Sequence, residues 1–286
     1  MDIALLLKWI LCQKVRVENA MTIKLESQLL NIKNGRNFRE LGGYQTKDGK
    51  TIKKHKLIRT ANLASLDEND LKYLQDYGVK YVVDFRSRDE VEREPDRVPE
   101  GATYDFDPVF SEDLTESSKG IDEVLSQDNQ NPKDGYHHMF IAYDDMIKSE
   151  SAQRAYRKFF DVLLANDEEN RSVIFHCTAG KDRTGFAALL ALTALGVPLD
   201  IIKQDYLFTN AATTDFVNSL LQKAKDEGAN EAGLSNLKDL QTVHPEYIDH
   251  VIETLQQNYG GVENYLHDMM KLTDEEISKL RKIYLN

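Results

Sequence analysis

The chain has 286 residues, 41% hydrophobic and 9% aromatic, enough for one substantial core and at most two domains. Its formal net charge of −12 argues against nucleic acid as a main partner, because phosphate backbones need basic surfaces. Only two cysteines, Cys12 and Cys177, are present, so no disulfide framework is implied and a reducing compartment suits the chain.

Taken in order, Ile3 to Cys12 is apolar but interrupted by Lys8, and is too short for a membrane span of about 20 residues. Asp2 has the wrong charge for a secretory leader, and no Ala-x-Ala cleavage site follows. The expectation is a short helix in an extension over residues 1–28, with Met21 as an alternative start. The protein is expected to be cytoplasmic, or exported without a recognisable signal peptide. No integral membrane segment is expected.

Asp48-Gly49, with Tyr44 before it and Ile52 after it, predicts a hairpin. Lys47 to Arg59 forms a basic island, read either as a solvated hairpin or as an attractor of anions. Ser65 and Glu68 have capping-box spacing and open a helix that carries Leu71, Leu74 and Tyr77 inward, with Gly78 as its C-cap. Val79 to Phe85 reads as a strand. Asp84 and Arg86 at its carboxyl end are placed on the rim of a ligand crevice, or in a surface ion cluster with Asp89 and Glu90.

Ser111 to Gly135 is polar and acidic, a surface excursion or partial lid. Tyr156, Phe159, Phe160, Leu163 and Leu164 recur at helical spacing and are assigned to the core. Beyond residue 195, Gly196 and Pro198 separate two helices. Three amphipathic helices follow, the last capped by Thr273 and Glu276. The class is α/β: a central sheet, flanking helices and a helical C-terminal half, part of which can cover a site.

The stretch from Ser172 to Leu195 carries the chemistry. Val173 to Phe175 reads as a buried strand, and Phe186 to Leu195 as a helix apolar on nearly every face. Between them, five residues separate Cys177 from Arg183. A loop of this length at a helix N-terminus turns free N–H groups inward and makes a nest for an anion, contributed by Thr178, Ala179, Gly180, Lys181 and Asp182. Gly180 permits the tight curvature. Arg183 adds a planar fork that grips two phosphate oxygens. The helix dipole and Arg183 both favour a thiolate on Cys177, which makes it a nucleophile at the floor of the cradle. Thr184 is placed to donate to that sulfur, His176 to orient the loop, and Lys181 to add charge at the mouth.

HCTAGKDRTG resembles the active-site loop of cysteine-dependent phosphatases, and Lys181-Asp182 narrows this to the atypical bacterial tyrosine and phosphoinositide phosphatases. NFRELGGY (Asn37–Tyr44), LIRTANL (Leu57–Leu63), VVDFRSRDEV (Val82–Val91), DYLFTN (Asp205–Asn210) and YGGVENYL (Tyr259–Leu266) look like further blocks of that family, in its order. The likeness spans roughly Leu29 to the C-terminus, which sets a phosphatase domain at 29–286. Asp-Phe-Arg at 84–86 departs from the family's more usual Asp-Leu-Arg.

The resemblance implies a cysteine-phosphatase-like fold and hydrolysis through a phosphocysteine, with phosphorylated proteins or phosphoinositides as substrates. It favours Asp182 as general acid, with Asp84 as the alternative. The chemistry needs no cofactor and no metal; His137-His138 is the only adjacent histidine pair, and sequence neighbours do not converge on one ion. Two other classes fit a loop cysteine at a helix N-terminus less well. A sulfurtransferase is disfavoured by Thr184 and the loop length. A non-catalytic phosphate-binding module would lack the nucleophile or the arginine, and this chain has both.

Overall fold

A computed structural model describes Leu25, residues 28–118 and residues 131–286. The predicted helix at Ile3–Cys12, most of the 1–28 extension and part of the 111–135 excursion lie outside the described residues.

Five strands form one sheet in the order β1 (Arg39–Glu40), β2 (Leu57–Thr60), β5 (Ser172–His176), β3 (Val79–Asp84), β4 (Thr103–Phe106). β1 is antiparallel to β2, and every other pairing is parallel. Parallel strands must be covered on both faces, and β5, the central strand, is buried along its whole length. Its side chains alternate between two cores. Val173 and Phe175 face the larger one, with Phe159, Phe160 and the helix that follows the loop. Ile174 faces the smaller one, with Ile58, Leu74 and Val82.

The register sets the site. Thr60 of β2 and Asp84 of β3 both lie level with His176 at the end of β5. Three carboxyl ends therefore meet around the loop at 177–181, the place where open α/β sheets bind ligands. The chain leaves that loop into α5 (Asp182–Ala194), every residue of which is buried.

Around the sheet stand α1 (Glu68–Tyr77), α2 (Arg88–Arg93), α3 (Asp134–Lys148) and α4 (Glu150–Ala165). The C-terminal half is helical: α6 (Leu199–Asp226), α7 (Glu231–Gln241), α8 (Pro245–Tyr259), α9 (Val262–Asp268) and α10 (Asp274–Tyr284). Among the described residues, no helix is long and apolar enough to cross a membrane.

Several local expectations are met. The hairpin closes with Ile52 N–H donating to Tyr44 O, and Gly78 caps α1 in the left-handed conformation. One cap differs: α1 starts on Asp67, whose side chain accepts from Asn69 and Asp70 N–H while Asp70 closes the box. Ser65 is not the cap; its hydroxyl donates to Asn34 O. The basic island is divided. Lys53 pairs with Glu169 and Lys56 donates to Asn166 and Glu168 carbonyls, so neither is an exposed attractor. Arg59 is fully buried beneath the loop.

Candidate active site

The loop is held from behind. Asn37 Nδ2 donates to the carbonyls of Ala179 and Gly180 at 3.1 and 3.0 Å. Arg59 donates to those of Gly180 and Lys181 at 2.9 and 3.4 Å. Gly180 adopts φ +67°, and a Cβ there would stand 2.2 Å from Thr60 O, so only glycine lets the loop lie against β2. With the carbonyls tied to this outer scaffold, the N–H groups of Thr178 to Lys181 have no acceptor among the described residues. That is the donor pattern of an anion nest.

The scaffold is anchored to α6 by Asp205. Its carboxylate accepts from Arg39 Nε at 2.9 Å, Arg59 at 2.6 Å and the Tyr44 hydroxyl at 2.9 Å. Burial would raise its pKa, but the two guanidinium groups overcome this and hold it at about 2.

Cys177 sits at the floor, 1% exposed. Arg183 is gripped by Glu90, bidentate at 2.6 and 2.8 Å, and also donates to Asp113 at 3.3 Å and Thr115 at 3.2 Å. Its Nε is buried with no partner, a donor left over for an incoming anion. Burial opposes the charge on Arg183, yet Glu90 and Asp113 hold its pKa well above the ordinary value. Glu90 also accepts from Thr178 Oγ1 and from Ser87 N–H as part of the box that caps α2. Burial would raise its pKa; Arg183 pulls it down to about 2.

Lys181 differs from expectation. The Lys181 ammonium is buried 2.7 Å from Asp182 Oδ2 rather than standing free at the mouth. Asp182 Oδ1 accepts from the Tyr143 hydroxyl of α3 at 2.6 Å, and Tyr143 shares a second 2.6 Å bond with Tyr206 of α6. Burial, then Asp182 and Tyr206, raise the Tyr143 pKa well above its usual value, so it remains a proton donor. Thr184 is buried and its hydroxyl has no hydrogen-bond partner, so no bond to Cys177 is formed in this state.

Asp84 and Arg86 are not on the rim, nor in a surface cluster with Asp89 and Glu90. Both are fully buried and face each other, with Arg86 Nη2 at 2.7 Å from Asp84 and 2.9 Å from Asp96. The reason is the spacing: Arg86, two residues on, folds back along its own strand end. His176 completes this group, with Nε2 at 3.0 Å from Asp96 and Nδ1 at 3.2 Å from the Cys177 carbonyl. Burial would lower the His176 pKa, but Asp96 and Asp84 raise it above the ordinary value. Asp84, Asp96 and His176 have the ligand types and closeness of a metal site. The cation already pairing both carboxylates is Arg86, so the donor set does not fit a metal ion.

Over Thr178 and Ala179 opens a cleft of about 180 Å³, walled by Glu90, Arg36, Phe216 and Leu220. Sequence reasoning missed Glu90, Asp113 and Asp96. Asn37 and Asp205 lay inside quoted blocks without a role. The Ser87–Glu90 capping spacing was a readable signal for the orientation of Glu90.

The family model described as "Tyrosine phosphatase family" matches residues 30–286. A putative tyrosine-protein phosphatase of Cupriavidus necator is 31% identical over 250 residues, covering 87% of this chain and 85% of its own. The triple specificity protein phosphatase PtpB of Mycobacterium tuberculosis is 28% identical over 274 residues, covering 87% and 96%. A tyrosine-protein phosphatase of Nostoc commune is 26% identical over 240 residues, covering 78% and 72%. With the cysteine–arginine loop standing at the carboxyl ends of the sheet, this chain belongs to the tyrosine phosphatase family.

Proposed function

We propose that the protein hydrolyses phosphomonoesters through a phosphocysteine, without a metal, acting on phosphotyrosine proteins, phosphoinositides or both. The observation that carries this is the cradle itself: free N–H groups and the unpartnered Arg183 Nε arranged around Cys177. The Cys177 thiolate attacks phosphorus as the bond to the leaving oxygen breaks. The nest and Arg183 hold the equatorial oxygens while their charge redistributes. Water then attacks the phosphocysteine, releases phosphate and restores the thiolate.

The leaving oxygen takes its proton from Asp182, which enters the step protonated on Oδ2 and regains that proton from the water that attacks the phosphocysteine. A phosphate dianion in the cradle draws the Lys181 ammonium to itself. That frees Asp182 Oδ2, while Tyr143 keeps Oδ1 fixed. The phosphoinositide part rests on resemblance, supported by the mycobacterial relative, a triple specificity protein phosphatase.

The test is phosphate release from para-nitrophenyl phosphate by wild type and Cys177→Ser. Release by wild type and none by the variant is expected. No release by wild type overturns the reading.

A further inference from the structure

Two residues at the mouth of the loop, Arg36 and Phe216, take no part in the phosphoryl transfer. The Arg36 guanidinium lies 3.8 Å from the centroid of the Phe216 ring. Among the described residues, nothing accepts a hydrogen bond from that guanidinium. Its backbone, by contrast, is fixed: Thr60 Oγ1 and Ala61 N–H donate to the Arg36 carbonyl at 3.0 and 3.1 Å. Arg36 borders both the cleft over Thr178 and Ala179 and the smaller one beside it. Arg93, the other arginine on the larger cleft, donates to Ser118. Lys181 is buried against Asp182. Among the described residues, Arg36 is therefore the cation at the mouth whose donors have no acceptor, with Glu94 as its electrostatic neighbour on the cleft.

We propose that Arg36, held over the Phe216 ring, is a recognition site for an acidic side chain flanking the phosphotyrosine of a peptide substrate. The proposal rests on the phosphatase reading above. A guanidinium stacked by one face keeps its edge free, and that edge is the planar fork that takes a carboxylate bidentate. Stacking also fixes the side chain before the ligand arrives, which removes part of the ordering cost.

The rest of the wall favours a peptide over a lipid headgroup. Phe216 and Leu220 present apolar surface beside the loop, which suits the ring of phosphotyrosine. An inositol ring, edged with hydroxyls, would lose hydration against Phe216 and Leu220, while the polar groups on the cleft, Arg93, Ser117, Ser118 and Gln241, serve either ligand. A net charge of −12 repels acidic peptides at long range, so a local cation is what admits them.

The test uses two phosphotyrosine peptides, identical except that flanking Asp and Glu become Asn and Gln. Wild type should show kcat/KM about tenfold higher on the acidic peptide, the scale of one charge-assisted hydrogen bond in a half-open site. The ratio should fall to near one in Arg36→Gln. In Arg36→Glu it should invert toward a Lys-flanked peptide. A ratio does not depend on the fraction of protein folded. Equal rates on both peptides in wild type, or a ratio that survives Arg36→Gln, overturns the proposal.

A short-chain phosphoinositide is the third substrate. If Arg36→Gln cuts its hydrolysis about tenfold and leaves the peptide ratio intact, the site reads a headgroup and the peptide proposal is overturned. Failure of the phosphatase reading looks different, because no substrate then releases phosphate. In that case the affinities of the two peptides for Cys177→Ser, with and without Arg36→Gln, still decide whether Arg36 reads the flank.

Discussion

At the scale of single residues, the proton donor is the sharpest question, because Asp84, Asp113 and Asp182 stand near the loop in three environments. Asp84 is sealed in an ion pair with Arg86 and accepts a further bond from the Tyr104 hydroxyl at 2.7 Å, so it has no path to a substrate. Asp113 touches Arg183 from the outside, and Asp182 is held inside the loop. Loss of a general acid costs about 10²–10⁴-fold with a poor leaving group and little with a good one, which needs no proton. Asp182→Asn should therefore cripple hydrolysis of a phosphotyrosine peptide and largely spare para-nitrophenyl phosphate. Asp113→Asn should lower both rates in proportion, because it weakens the contact to Arg183 and the turn that Asp113 holds through Thr115 and Ser118. Asp84→Asn should act through stability. The measurement is kcat for each variant on both substrates; the leaving-group-dependent loss appearing in Asp113→Asn would move the acid there.

At the scale of elements, β5, the loop and α5 were legible because the strand, the nest and the nucleophile are contiguous. The partners of the loop were not, because they come from far along the chain. Glu90 lies 93 residues before Arg183, and Asn37 143 before Gly180. The Asp84–Arg86 pair was misplaced for a related reason. Strand-end position was readable, but which way each side chain turns depends on Asp96 and His176, brought in from other segments. The choice of Ser65 over Asp67 as a helix cap shows the same limit at short range, since both residues can cap and Asn34 decides by accepting from Ser65.

The scaffold behind the loop yields its own prediction. Asn37→Ala removes the donor to two loop carbonyls and should lower kcat about ten- to hundredfold through misplacement of the nest. Stability should fall by about 1–3 kcal/mol, the cost of buried acceptors left unpaired. Asp205→Asn breaks paired buried charges and should cost about 3–5 kcal/mol. Urea midpoints and kcat on para-nitrophenyl phosphate read the two effects separately. A stability loss in Asn37→Ala with kcat unchanged would make the scaffold structural only.

At the scale of the whole molecule, the buried charges couple folding to pH from both sides. Glu90, Asp96 and Asp205 are all held at about 2 in the folded protein. Unfolded carboxylates titrate near about 4, so there the unfolded state binds more protons. Stability from these groups is complete above about pH 5 and is lost as pH falls toward 2. His176 has the opposite sign. Its folded pKa is raised, so its contribution is complete below about 6.5 and is lost as pH climbs through the folded value. The physical event is deprotonation of a buried imidazolium, which leaves Arg86 as the cation paired with Asp84 and Asp96 among the described residues. Urea midpoints should peak between about pH 5 and 6.5 and decline on both sides. In His176→Gln the protein should be less stable throughout, since Asp96 loses a charged partner, but the decline above about pH 6.5 should flatten. The slope, not the absolute stability, is the reading that matters. A wild-type curve level from pH 6.5 to 9, or an equal decline in His176→Gln, would remove His176 from the account of alkaline stability.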